Sequence, residues 1–138
     1  MNKDELIHKI GKSLVRDIGP RRKDWVHLVL VGTIEQHSSE MAGFAYDKRG
    51  DHEAVAPRGS EALDLLEQLR EAMAKSDRKA PWRAALIRIA RDTREITFDF
   101  EYDNANRWVF SFRNADERAK ELRPIKGKAR PKQRRKSA

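Results

Sequence analysis

The sequence predicts an α+β fold in which helices pack on one face of an antiparallel sheet of about five strands. Three observations support this prediction: some segments have helical apolar periodicity, others alternate as strands do, and neighbouring strands are joined by connections of hairpin length. The predicted element order is α-β-β-α-β-β-β-α, and the short connections favour antiparallel pairing. A chain of 138 residues suits one domain, which we place at residues 1–122.

Three helices are predicted from apolar periodicity and from polar residues that cap helix N-termini. The first begins with the capping-box pattern of Asn2 and Glu5, and the Gly19–Pro20 pair ends it. The predicted helices cover about residues 2–18, 60–76 and 115–122.

The strands are predicted from β-branched and apolar content or from strict alternation. Residues 25–34 are apolar on both alternating faces, which is typical of an interior strand. In residues 96–102, apolar side chains alternate with Thr, Asp and Glu, so that one face is apolar and the other acidic. The predicted strands are residues 25–34, 40–46, 82–90, 96–102 and 108–112, with residues 53–56 as a short additional candidate.

The net charge of +8 is concentrated in the C-terminal stretch. From Arg123 to Ala138 there are eight Lys or Arg residues and no Asp or Glu, so the remaining 22 basic residues balance the 22 acidic ones. After Ile125 this stretch has no large apolar side chain, so burial cannot offset the entropy of ordering it. We therefore expect residues 123–138 to form a disordered basic tail.

Two interpretations of this tail remain open. Its Lys and Arg side chains could bind nucleic-acid phosphates, in a manner that depends on salt but not on base sequence. It has no interleaved aromatic residues to stack on bases, and the other interpretation is a solubilising extension. The candidate nucleic-acid-binding residues are Lys126, Lys128, Arg130, Lys132, Arg134, Arg135 and Lys136.

The sequence contains no motif for catalysis, for a cofactor or for a metal ion. It has no cysteine, its seven glycines form neither a phosphate loop nor a dinucleotide fingerprint, and its serines lack a nucleophile-elbow setting. Its four histidines are not spaced as a metal-binding pair. The longest uncharged run, Trp25 to Ile34, is too short to cross a bilayer. We therefore expect a cytoplasmic protein that is not an enzyme, binds no cofactor and does not contact a membrane.

One strand carries a row of carboxylates on its outward face, in which members two residues apart lie roughly 6.5–7 Å from one another. The row consists of Glu95, Asp99, Glu101 and Asp103. Such spacing suits acid–base catalysis or a hard cation, but a solvated face balanced by arginines is favoured over catalysis. The candidate arginines are Arg83, Arg88 and Arg91. A third interpretation is a docking surface for a basic partner, and we predict the row as the partner-binding surface.

Several stretches between residues 3 and 104 share a pattern with one protein family. The most specific is Ile96–Asp103, rich in Phe, Asp and Tyr. The others are the opening amphipathic helix, Gly19–Pro20, Asp24–Leu28, Gly43–Tyr46, Leu65–Glu71 and Pro81–Trp82. Together they resemble the YezG-like family of bacterial immunity proteins, small α+β antitoxins that neutralise secreted polymorphic toxins. The resemblance implies a bacterial cytoplasmic protein that binds a toxin domain by surface complementarity and performs no chemistry.

We therefore expect a non-enzymatic immunity-type protein that binds and neutralises a polymorphic toxin domain. The alternative is a small nucleic-acid-binding protein that uses its basic C-terminal tail. The expected partners are a toxin domain and, through the tail, nucleic acid of any sequence.

Overall fold

The computed structural model describes residues 1–36, 38–78, 80–111 and 113–124. The helices are α1 (Lys3–Ile18), α2 (Glu61–Asp77) and α3 (Ala115–Leu122), and a short 3-10 turn (Gly19–Arg21) follows α1. The strands are β1 (His27–Ile34), β2 (Ser39–Tyr46), β3 (His52–Val55), β4 (Ala84–Ala90) and β5 (Ile96–Glu101). The seven tail residues predicted to bind nucleic acid lie outside the described residues.

The five strands form one antiparallel sheet in the order β3-β2-β1-β4-β5, which confirms the predicted fold class. The central strand is β1, as its apolar character on both faces predicts. Its Val29 lies opposite Phe44 of β2 and Arg88 of β4. At the far edge, Asp99 of β5 lies opposite Leu86 of β4. No helix among the described residues is long and apolar enough to span a membrane.

Apolar side chains cover both faces of the sheet. On the face that we call the helix face, Leu28 and Leu30 of β1 pack into one core with α1 and α2. On the opposite face, here the second face, Val29 and Val31 pack into a separate cluster with Trp108 and α3. The prediction that helices occupy one face is therefore correct for α1 and α2 and wrong for α3. The reason is that alternate residues of β1 are apolar in both directions, so both faces need a cover.

The observed order α-β-β-β-α-β-β-α differs from the predicted order in the position of one strand. Residues 52–55 do form a strand, beside β2, whereas residues 108–111 do not. A turn at Asn104–Arg107 takes the chain beneath the sheet, where Trp108 is 7% exposed and the Phe110 ring lies 4.5 Å from that of Phe44. The alternation of aromatic residues in this segment therefore reflects packing across the second face, and not a sixth strand.

Candidate functional site

The predicted acidic row lies along β5 and its two ends, on the second face of the sheet. Phe98 is 3% exposed and packs into the core under α1 and α2, so its neighbours Thr97 and Asp99 point the opposite way. The apolar and acidic faces of β5 are therefore oriented as predicted. The carboxylates of the row nevertheless have different surroundings, which divide it into an inner pair and two outer members.

The first inner member, Asp99, pairs with Arg88 on the adjacent strand. A guanidinium nitrogen, Nη1, donates a hydrogen bond to the Asp99 carboxylate, and the two side chains are only 16% and 23% exposed. The Nε atom of Arg88 is buried and has no hydrogen-bond partner among the described residues. Asp99 therefore supplies a charged partner for the largely buried guanidinium of Arg88 and acts here as a structural partner.

The second inner member, Glu101, organises the turn that follows β5. Its Oε2 accepts hydrogen bonds from the backbone N–H groups of Asp103 (2.9 Å) and Asn104 (3.0 Å), and its Oε1 accepts one from Arg107 (3.0 Å). The backbone donors, followed by Arg107, hold the pKa of Glu101 below its usual value against the opposing effect of burial. Glu101 is therefore a charged anchor of the turn.

The two outer members, Glu95 and Asp103, are exposed at opposite ends of β5. Among the described residues, neither has a side-chain ion pair. Each is thus able to meet a basic group of another molecule without first breaking an internal pair.

The other two arginines considered from the sequence contact a carboxylate outside the row and backbone carbonyl groups. Arg83 pairs with Glu35 at 3.3 Å and donates to the backbone carbonyl of Asp103. Arg91 donates to the backbone carbonyls of Lys23 and Trp25. Among the ion pairs of the described residues, Arg88 is the candidate that pairs with a side chain of the acidic row, and Arg107 pairs with another, Glu101.

The outer edge of β5 has no neighbouring strand in the described part of the chain. The hydrogen bond from Ala90 N–H to the Glu95 carbonyl (2.9 Å) fixes which residues of β5 face β4. By the alternation of an antiparallel pair, the N–H and C=O groups of Ile96, Phe98 and Phe100 point away from the sheet. These groups form an edge to which an extended segment can add.

Other acidic residues, not singled out from the sequence, lie at the end of the sheet where β1 and β5 end and β2 and β4 begin. Ser39, at the start of β2, donates from Oγ to Glu67 of α2, and this contact places Glu67 beside the same end of the sheet as Asp103. Glu40 is exposed next to Ser39 in sequence. Glu71 is exposed one helical turn after Glu67. No local sequence signal joins these positions, because only sheet pairing and helix packing bring them to the same end of the sheet.

The three histidines that the structure describes lie on separate elements. His8 is exposed on α1, His27 is half-buried on β1, and His52 hydrogen-bonds Asp116 at 3.0 Å. Among the described residues, no group of three or more His, Asp or Glu side chains is arranged to hold a metal ion.

Comparison with known proteins adds no further identification of this site. The sequence matches no protein-family model and no curated protein sequence.

Proposed function

We propose that this chain is a non-enzymatic immunity-type protein that neutralises a toxin domain by binding it along the outer edge of β5. The observation that supports the proposal is the combination of an open strand edge with two exposed carboxylates, Glu95 and Asp103, at its ends. The edge lies in the stretch with the most specific resemblance to the immunity family. The partner that suits it is a protein with an extended, basic segment.

The edge and the carboxylates make different contributions to binding. Backbone groups of Ile96, Phe98 and Phe100 supply hydrogen bonds that do not depend on the partner's side chains. Exposed charges chiefly raise the association rate and select partners, and salt screens them. Asp99 and Glu101 contribute less to recognition, because Arg88 and Arg107 already neutralise them.

The proposal predicts that a toxin domain is encoded beside this chain in its genome, and the test uses that domain. Co-expression should restore the growth of cells that produce the toxin domain, and the purified proteins should associate measurably by surface plasmon resonance. The E95K/D103K variant should associate roughly tenfold more slowly and show a weaker dependence on salt, with an unchanged melting temperature.

The matched control is D77K/E117K, which makes the same change in charge at exposed carboxylates on α2 and α3. It should leave the association rate near that of the wild type. If both double variants associate at the same rate, the β5 edge is not the docking surface. If the wild-type chain fails to protect cells from the toxin domain, the immunity function itself is wrong.

A further inference from the structure

An open cavity lies at the end of the sheet where β1 begins and β2 and β4 end. Its volume is about 450 Å³. Three cationic side chains contribute to its lining, which consists of Asp24, Trp25, Val26, Asp47, Lys48, Arg49 and Arg91. The cavity is separate from the acidic row, apart from sharing the end of the sheet where Glu95 lies.

The guanidinium of Arg91 is held in place on one side only. Its Nη1 donates to the backbone carbonyls of Lys23 (2.6 Å) and Trp25 (3.0 Å), and its central carbon lies 5.1 Å from the centre of the Trp25 ring. No carboxylate pairs with Arg91 among the described residues. The remaining N–H groups of its planar fork are therefore oriented and available for an anion.

The other two cations stand on a turn with a fixed backbone. Asp47 Oδ1 accepts hydrogen bonds from the backbone N–H groups of Arg49 (2.9 Å) and Asp51 (3.0 Å), and the turn includes Gly50 at a φ of 88°. Lys48 has no carboxylate partner in the described part of the structure. Arg49 lies 3.6 Å from Asp51, but both side chains are exposed, so that contact is weak.

The two carboxylates in the lining offset only part of the charge of these three cations. The Asp47 carboxylate is engaged by the backbone N–H groups of its own turn and is 8% exposed. Asp24 lies 3.1 Å from the Nε atom of Arg22. The cavity therefore presents an excess of positive charge from Arg91, Lys48 and Arg49.

We propose that this cavity binds a phosphate group, with Arg91 as a planar hydrogen-bonding fork and Lys48 and Arg49 as additional cations. Guanidinium and ammonium groups form strong charge-assisted hydrogen bonds to phosphate oxygens. The phosphate comes either from a small phosphorylated molecule or from a nucleic-acid backbone. This site does not depend on the toxin-binding proposal, and its test uses no toxin.

The experiment is an NMR titration of the full ¹⁵N-labelled chain with inorganic phosphate at constant ionic strength, with chloride as the reference. Saturable shifts are expected at the Trp25 indole N–H and at the amides of residues 47–51. The K48Q/R49Q variant alters only exposed side chains and should weaken phosphate binding at least tenfold. The K9Q/K12Q variant removes the same charge from exposed positions on α1 and should bind phosphate as the wild type does.

A second arm separates the two sources of phosphate. A short oligonucleotide that binds the wild type at least tenfold more tightly than phosphate, and loses that advantage in K48Q/R49Q, assigns the cavity to a nucleic-acid backbone. Equal affinities at this cavity assign it to small phosphorylated molecules. The proposal is overturned if phosphate and chloride produce the same shifts, or if K48Q/R49Q binds phosphate as tightly as K9Q/K12Q does.

Discussion

The Tyr46 hydroxyl on β2 donates a 2.6 Å hydrogen bond to the backbone carbonyl of Ala119 in α3. That carbonyl belongs to the last turn of the helix, where carbonyl groups have no partner within the helix. Tyr46 is 1% exposed, and burial raises its pKa well above the usual tyrosine value. One hydroxyl thus fastens α3 to the second face of the sheet.

Replacement of Tyr46 by Phe should destabilise the fold by about 1–3 kcal/mol, because it leaves the Ala119 carbonyl buried without a partner. Urea unfolding measures the change.

The pH dependence of the free energy of unfolding provides a second check. A raised folded pKa of Tyr46 means that the neutral hydroxyl stabilises the fold. That contribution is present below about pH 10, is lost as pH rises above it, and should be missing from Y46F. An equal free energy of unfolding for the two proteins would contradict the role of this hydrogen bond.

The ion pair between Asp99 and Arg88 predicts a loss of stability when the carboxylate is removed. Asp99→Asn should lower the free energy of unfolding by about 1–3 kcal/mol, because the largely buried guanidinium loses its charged partner. The control is Asp103→Asn at the exposed end of the row, which should change stability by less than about 0.5 kcal/mol. Similar effects at the two positions would show that the inner and outer carboxylates do not differ as described.

Glu101 predicts a specific sensitivity to acid. Because its folded pKa lies below the unfolded value, its charged form stabilises the protein above the ordinary glutamate pKa of about 4.3. This contribution is lost as pH falls through the lower folded pKa. The fall in melting temperature between pH 6 and pH 3 should therefore be smaller for Glu101→Gln than for the wild type. Glu95→Gln, at an exposed position, should match the wild type, and an identical fall for all three proteins would refute the prediction.

Gly43 on β2 predicts a severe steric effect. A Cβ atom there would lie 1.9 Å from the Val29 carbonyl oxygen and 2.7 Å from the Leu30 Cα. Both are backbone atoms of β1, so relief of the clash requires the two strands to separate. Gly43→Ala should lower the free energy of unfolding by about 1–3 kcal/mol or more, measured by thermal or urea unfolding. Gly59→Ala is the comparison, because a Cβ at Gly59 meets no atom within 4 Å. Equal stability of the two variants would be incompatible with this strand pairing.

The basic tail predicts binding to DNA or RNA that is weak, independent of sequence and strongly reduced by salt. Fluorescence anisotropy across a salt series measures it for the full chain and for a chain that ends at Pro124. The shorter chain should lose most of the salt-dependent affinity and keep its melting temperature, because the deleted residues offer almost no apolar side chains for burial. Sequence-selective binding by the shorter chain would favour the nucleic-acid alternative over the immunity proposal.

Local patterns predicted most elements of the fold. The Asn2–Glu5 capping box is present, and the apolar segment that contains β1 became the central strand. The strand wrongly predicted at residues 108–112 and the side of the sheet wrongly predicted for α3 have the same cause. Alternation of apolar residues shows that one side of a segment is buried, but it does not identify the surface that buries it. Trp108 and Phe110 therefore satisfied the strand pattern while packing beneath the sheet.

Local sequence patterns were also insufficient to predict the candidate sites in full. The acidic row was evident because its members belong to one strand, whereas the division into inner and outer members depends on Arg88 and Arg107. The cavity proposed to bind phosphate combines residues from three separated segments. Only the antiparallel order of β2, β1 and β4 brings Arg91 to the turn that carries Lys48 and Arg49.

The cover of the second face has a consequence for synthesis on the ribosome. All five strands precede residues 105–122, which supply Trp108 and α3 to that face. Because a chain is made from its N-terminus, the sheet can form before its second cover has been translated. During that interval Val29, Phe44 and Leu86 have no intramolecular cover on this side, and the nascent sheet offers an apolar surface to chaperones and to other chains. A chain released after termination before residue 105 would keep this apolar surface exposed, because it would lack Trp108 and α3.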